Sequence, residues 1–206
     1  MLAVLIPIPL VLLPMMAITV QPKCGAEPIA PTAIESPVLT GFNQRVDAYM
    51  QVHNDVEQTL AMQRVYDDPE EMYDALAEFQ SGIRAARPDA RPGTIFTADV
   101  SALIRARLER RLVACNDKVE SVLAFINEER LRGAPQPRVY EPFPWSLGSA
   151  MWPALLPALP MLPVEMQYRF ADRDLVLVDM HADIILDILV DALPAPASRE
   201  HGAHHR

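Results

Sequence analysis

The distribution of proline restricts the possible folds of this 206-residue chain more than any other sequence feature. The chain has 20 prolines and 7 glycines, and eight of the prolines fall between residues 134 and 163. Proline lacks an amide hydrogen and clashes with the preceding helical turn, so this segment forms neither a regular helix nor a central strand. Its large apolar side chains are unsuited to an exposed linker. We therefore predict a polyproline-like strap, residues 134–163, packed over a helical core.

Upstream of the strap, apolar residues recur at intervals of three and four, which is the spacing of amphipathic helices. We predict a helical region over residues 41–133 that opens with an antiparallel helical hairpin, because a capping sequence at Asp68 separates two such stripes. A third stretch begins after Thr97. Asn116 and Asp117 interrupt it, so residues 98–132 form either one helix or two. The first stripe comprises Phe42, Val46, Tyr49, His53, Val56 and Leu60; the second comprises Met72, Leu76, Phe79, Ile83 and Ala86.

The C-terminal part alternates apolar and polar residues before it returns to helical spacing. Over residues 164–193 the pattern predicts a two-stranded β-hairpin turning at Asp172, followed by a closing helix that starts near Ile184. Asp183, Asp187 and Asp191 are expected on the solvent side of that helix. Residues 27–40 predict an extended linker, and residues 194–206 a disordered tail with nothing to bury. The predicted fold class is mainly α with a small β-hairpin.

The first 20 residues contain no charged side chain, which is rare at the start of a soluble domain. This composition predicts export, to the periplasm or the extracellular space. Three interpretations of residues 1–26 remain open: a signal peptide cleaved after Ala26, a membrane anchor formed by residues 1–20, and a buried or interfacial segment. The anchor would associate the protein with a membrane, although its prolines are unfavourable in a spanning helix.

The chain has two cysteines, Cys24 and Cys115, and their state depends on processing. Cleavage after Ala26 would leave Cys115 alone, either buried or paired between chains. If the N-terminal segment is retained, the two cysteines can form a disulfide that closes a long loop. The residues around Cys115 favour a small buried side chain on a helix.

Composition and missing motifs weigh against several functional classes. The formal net charge is −9, from 27 acidic and 18 basic residues, which gives no electrostatic reason to bind nucleic acid. The glycines form no phosphate-binding loop, the serines form no nucleophile elbow, and the two cysteines cannot build a structural zinc site. We therefore expect no cofactor and favour a non-catalytic protein.

Two groups of residues are candidates for function. His181 and Asp183, with Asp179 and Asp187 nearby, carry the imidazole and carboxylate groups that bind divalent metals, although a helix cap at Asp183 is the favoured interpretation. His53 lies on an apolar stripe and is interpreted as a core histidine. In the strap, an apolar set is the candidate partner-binding surface, and packing over the core is its structural alternative: Phe143, Trp145, Trp152, Leu155 and Leu156.

Several short motifs, in this order, resemble a group of uncharacterised exported bacterial proteins. The resemblance covers residues 42 to about 193 and implies export and this architecture, but no catalytic residue. That group usually has glycine where this chain has Asp172, and aspartate tolerates the left-handed conformation that such a turn can require. The motifs lie at residues 42–49, 83–87, 93–97, 159–163 (LPMLP), 168–170 (YRF), 173–179 (RDLVLVD) and 185–187.

Three functional hypotheses follow. The favoured one is a non-catalytic exported protein that works by contacting a protein partner. The second is an accessory subunit held at a membrane by an uncleaved N-terminus. The third is a metal-dependent hydrolase that uses His181 and the carboxylates around it.

Overall fold

The computed structural model describes residues 24, 27–60, 68–148 and 151–196. Within them the fold is mainly α with a small antiparallel sheet, which confirms the predicted class. The predicted signal segment and most of the predicted tail lie outside the described residues. In chain order the elements are α1 (Glu35–Leu60), α2 (Pro69–Ala86), α3 (Ala98–Cys115), α4 (Val119–Ile126), 3-10 turns at Trp145–Leu147 and Pro153–Ala158, β1 (Met166–Ala171), β2 (Asp174–Asp179) and β3 (Ile184–Leu189).

Helix α1 begins at Glu35, inside the segment predicted as a linker over residues 27–40, so that prediction was wrong for its last six residues. The cause is a capping box. The Glu35 amide donates to Thr32 Oγ1 at 3.3 Å, and the Thr32 amide donates to Glu35 Oε2 at 3.0 Å.

The third helical stretch is two helices. Asn116 ends α3 in a left-handed conformation with φ of 55°. Its amide donates to the Val113 carbonyl, and the Asp117 amide donates to the Leu112 carbonyl, which satisfies the end of the helix. Asparagine tolerates this conformation, so the interruption seen in the sequence becomes a turn between α3 and α4.

The sheet is a three-stranded meander in which β2 pairs with β1 and β3. The predicted hairpin is present, and Asp172 occupies its turn with φ of 59°. The predicted closing helix is wrong, because Ile184–Leu189 is a strand. This strand is buried on both faces, and a two-sided apolar run cannot be told from a buried helix by its spacing. Asp183 therefore caps no helix and instead has φ of 46°.

The two faces of the sheet are covered by different parts of the chain. The helices cover one face, where Leu175 and Leu186 join the main core. Phe143 and Leu147 of the strap cover the other face, where they meet Ile185. The strap also extends the sheet at β3, since the Tyr140 amide donates to the Ile185 carbonyl at 2.8 Å and the Ile185 amide returns a bond to Glu141 at 2.9 Å. A covered edge does not offer its amides to other chains.

Asp187 is fully buried in β3, whereas the sequence pattern placed it in solvent. Its carboxylate accepts the backbone amides of Gly93, Ile95 and Phe96 at 2.7, 2.6 and 2.7 Å. These bonds fix the loop that leads into α3. A buried carboxylate is tolerated only when it is hydrogen-bonded in this way.

The close contact between α1 and α2 predicts an unusual response to a glycine substitution. A Cβ atom on Gly82 would lie 2.5 Å from Cγ1 of Val56. In an exposed helix Gly→Ala stabilises by about 1 kcal/mol, but here we expect Gly82→Ala to lower the free energy of unfolding by about 1–3 kcal/mol because the core is overpacked. Denaturant titration measures this. Adding Val56→Ala should recover much of the loss, and a more stable single variant would contradict the packing.

Candidate functional site

The predicted partner-binding residues of the strap differ in how far they are buried. Phe143 and Leu155 are buried in the core, so they serve packing. Trp152 is half-buried, and its Nε1 donates to Asp117 Oδ2 at 2.8 Å. Trp145 and Leu156 are exposed. The strap thus packs on its own domain, and part of its apolar surface remains accessible. It contains two 3-10 turns, Trp145–Leu147 and Pro153–Ala158, where a polyproline-like chain was predicted.

Trp145 has a partner within the protein although 61% of its surface is exposed. The guanidinium carbon of Arg169 lies 4.5 Å from the Trp145 ring centre and 5.0 Å from the Phe143 ring centre. Arg169 is itself buried, and cation–π contacts of this kind are strongest when desolvated. This stacking ties Trp145 to β1 and favours a structural function for its indole.

Two strongly exposed apolar side chains lie at the end of the strap, just before β1. Met161 is 80% exposed and Val164 is 95% exposed. We refer to residues 160–164 as the ridge. A groove of about 290 Å³ lies on one side of it, and a second groove of about 350 Å³ borders Pro160 and Met161. The first groove is lined by Pro28, Leu156, Pro157, Leu159, Pro160, Met161, Leu162, Met166, Gln167 and Tyr168.

The turn between β2 and β3 carries the second candidate site, and its composition differs from the prediction. The structure groups His181 with His53 and Glu57 of α1, and Asp183 is not in this group. His181 Nδ1 lies 3.5 Å from Glu57 Oε1, and His53 Nε2 lies 3.9 Å from Glu57 Oε2. One potential ligand atom from each of the three residues lies within 4.8 Å of the others.

Asp179, at the end of β2, organises this turn. Its Oδ1 accepts the amides of His181 and Ala182, each at 2.8 Å. Its Oδ2 accepts the Tyr49 hydroxyl and lies 2.6 Å from His53 Nδ1. Burial opposes ionisation of Asp179, but the hydrogen bonds from His53, Ala182 and Tyr49 prevail and lower its pKa. An ionised Asp179 therefore orients His53 so that Nδ1 carries the proton.

The other nitrogen of His53 has no hydrogen-bond partner. His53 is fully buried, and its Nε2 is directed toward the Glu57 side, away from Asp179. Phe79 packs edge-on against both imidazoles, with ring centres 5.1 Å from His53 and 5.6 Å from His181. Burial lowers the pKa of His53, but the hydrogen bond and charge of Asp179, together with the charges of Glu57 and Glu165, raise it by more, so the net shift is upward.

Sequence reasoning missed His53 and Glu57 as partners of His181. A signal was present, since residues four apart on a helix face the same side and pair. Nothing in the sequence indicates that His181 lies beside Glu57, because the two are far apart in the chain. The hydrogen bonds from Tyr49 and His53 of α1 to Asp179 bring the β2–β3 turn to the helix.

The two cysteines are joined as a disulfide, with Cα atoms 5.2 Å apart. The bond connects residue 24 to the last residue of α3. Cys115 is half-buried and is therefore not the isolated core residue that its surroundings in the sequence favoured. Cleavage after Ala26 would remove Cys24 from the mature chain.

Among the described residues, no helix is both long enough and apolar enough to cross a membrane. The chain matches no family model, no curated protein and no solved structure.

The network around Asp179 predicts a large effect for a small change. Asp179→Asn keeps the shape of the side chain but removes the charge that four donors share, so we expect the free energy of unfolding to fall by about 2–5 kcal/mol. Asp47→Asn, an exposed change on α1, is the matched control and should alter it by less than about 0.5 kcal/mol. Chemical denaturation of both variants is the measurement, and equal effects would contradict the central position of Asp179.

Proposed function

We propose that the protein is a non-catalytic exported protein that binds a protein partner through the ridge. The observation that carries this proposal is the exposure of Met161 and Val164, by 80% and 95%, at the end of a strap that buried residues anchor. Leu155, Leu159 and Met166 anchor the strap on both sides of the ridge. Large apolar side chains held in water on a fixed backbone are typical of protein-binding surfaces.

The ridge and the residues before it have the proline spacing of a proline-rich recognition element. Prolines recur at positions 157, 160 and 163, and Leu159 is extended with φ of −93° and ψ of 150°. Proline restricts the free chain, so ordering such a segment against a partner costs little conformational entropy. Proline-rich segments of this spacing dock into aromatic-lined grooves. An apolar groove on a protein is therefore the complement that the ridge fits.

Export remains a proposal that rests on three observations. Residues 1–20 have no charged side chain, the disulfide is typical of an oxidising compartment, and the motifs resemble exported bacterial proteins. The expected locations are the periplasm and the extracellular space.

The disulfide also favours a second candidate, an accessory subunit held at a membrane. It attaches residue 24 to the end of α3, and only residues 21–23 separate residue 24 from the uncharged segment. An extended chain spans at most about 3.6 Å per residue. If residues 1–20 stay in a membrane, Cys115 lies within about 20 Å of its surface.

The partner proposal is tested by site-specific photo-crosslinking in the native host. A photoreactive residue at position 161 or 164 should give the same crosslinked protein, and one at Leu131, an exposed apolar residue after α4, should not. Met161→Ser with Val164→Ser should leave the free energy of unfolding within about 0.5 kcal/mol, because both side chains are exposed. The same pair should weaken binding of the identified protein at least tenfold. Identical crosslinking at all three positions, or none, would rule out the ridge.

Processing is tested by mass spectrometry of the protein recovered from the host. We expect a peptide containing Cys24 joined to a peptide containing Cys115, with the linkage lost on reduction. The mature N-terminus should then lie at or before residue 24. A mature chain that starts at Glu27 with a free Cys115 thiol would contradict the disulfide, and retention of Met1 would favour the membrane-held subunit.

A further inference from the structure

We propose that His53, Glu57 and His181 form a binding site for zinc or a similar divalent transition-metal ion. The site is independent of the ridge and of the proposed partner. Its donors would be Nε2 of His53, one carboxylate oxygen of Glu57 and Nδ1 of His181, and one potential ligand atom from each of these residues already lies within 4.8 Å of the others.

The first argument is the state of His53. A buried nitrogen that makes no hydrogen bond is unfavourable, by roughly 1–3 kcal/mol. His53 Nε2 is such an atom, and it lies on the side of the ring that faces Glu57. A metal ion would satisfy it.

The second argument is how His53 is held. Asp179 Oδ2 lies 2.6 Å from Nδ1 and fixes the ring so that the Nε2 lone pair is free. A carboxylate behind a histidine is the usual arrangement in zinc proteins, where it sets the tautomer and orientation of the ligand. Asp179 also holds the His181 backbone at 2.8 Å. One carboxylate therefore positions both histidines, and it is a positioning residue rather than a ligand.

The third argument is the chemistry and spacing of the donors. Two histidines and a glutamate are a zinc-binding set that leaves a fourth place for water. Two ligands of a tetrahedral zinc ion lie about 3.4 Å apart, given metal–ligand distances of about 2.1 Å. Each histidine has a Glu57 oxygen near this distance, since His53 Nε2 lies 3.9 Å from Oε2 and His181 Nδ1 lies 3.5 Å from Oε1. His181 is exposed on a turn, so its side chain has room to move toward His53.

The surroundings favour a cation and give it access. Glu57 and Asp179 carry negative charge beside the site, and Glu165 contributes to the field at His53. Phe79 shields the imidazoles on one side. Glu57 is partly exposed and His181 more so, which leaves a path from solvent. Imidazole ligands select zinc and its neighbours over calcium and magnesium.

The test is metal binding by the full chain in which three tail histidines, His201, His204 and His205, are replaced by glutamine. Equilibrium dialysis should show one Zn²⁺ per chain, and no comparable binding of Ca²⁺ or Mg²⁺. Co²⁺ in the same site should give the visible absorption of a four-coordinate ion. Zn²⁺ should also raise the melting temperature, since it binds only the folded state.

Variants decide whether these residues are the ligands. His181→Gln and Glu57→Gln should each weaken Zn²⁺ binding at least tenfold and abolish the Co²⁺ spectrum. Both side chains are partly exposed, so these variants should fold. Asp183→Asn is the matched control beside His181, because asparagine also tolerates φ of 46°, and it should bind as the parent does. The absence of stoichiometric binding, or binding unchanged by His181→Gln, would overturn the site.

Discussion

Two buried carboxylates on the sheet hold the helical layer in place. Asp179 and Asp187 are fully buried, one at the end of β2 and the other within β3. An ionised carboxylate in the interior is strongly unfavourable unless donors surround it. Asp179 takes donors from α1 and from its own turn, and Asp187 takes amides from the loop before α3. These hydrogen bonds therefore fix α1 and the start of α3 relative to the sheet.

The same requirement accounts for the site at the β2–β3 turn. A buried Asp179 is stable only with hydrogen-bond donors around it. The His53 ring lies at one of its oxygens, and the His181 and Ala182 amides donate to the other. The two imidazoles then lie with ring centres 5.5 Å apart, with Glu57 between their free nitrogens. A group that stabilises the fold thus also sets the geometry of three metal donors.

The strap packs on the core and, in the function that we propose, also carries the recognition surface. Phe143 and Leu147 cover the face of the sheet that the helices leave open, and Leu155 packs into the main core, so the strap is held at both places. Two 3-10 turns lie among these anchors, and the chain becomes extended at Leu159, just before the ridge. Met161 and Val164 then have no core position within reach and remain in water. Burial of the anchors is the reason that the ridge is presented in a defined shape.

The sequence by itself determined the elements whose signals are local. The stripe from Phe42 to His53, the cap at Asp68 and the alternation in β1 predicted α1, α2 and the hairpin, because helical and strand periods differ. Tertiary structure decided the rest. Ile184–Leu189 is a strand because both of its faces are covered. Asp187 is a buried acceptor because the amide of Gly93, in the loop before α3, donates to it. Of the candidate site, the sequence predicted His181 alone, since Glu57 and His53 reach it only through a contact more than a hundred residues away.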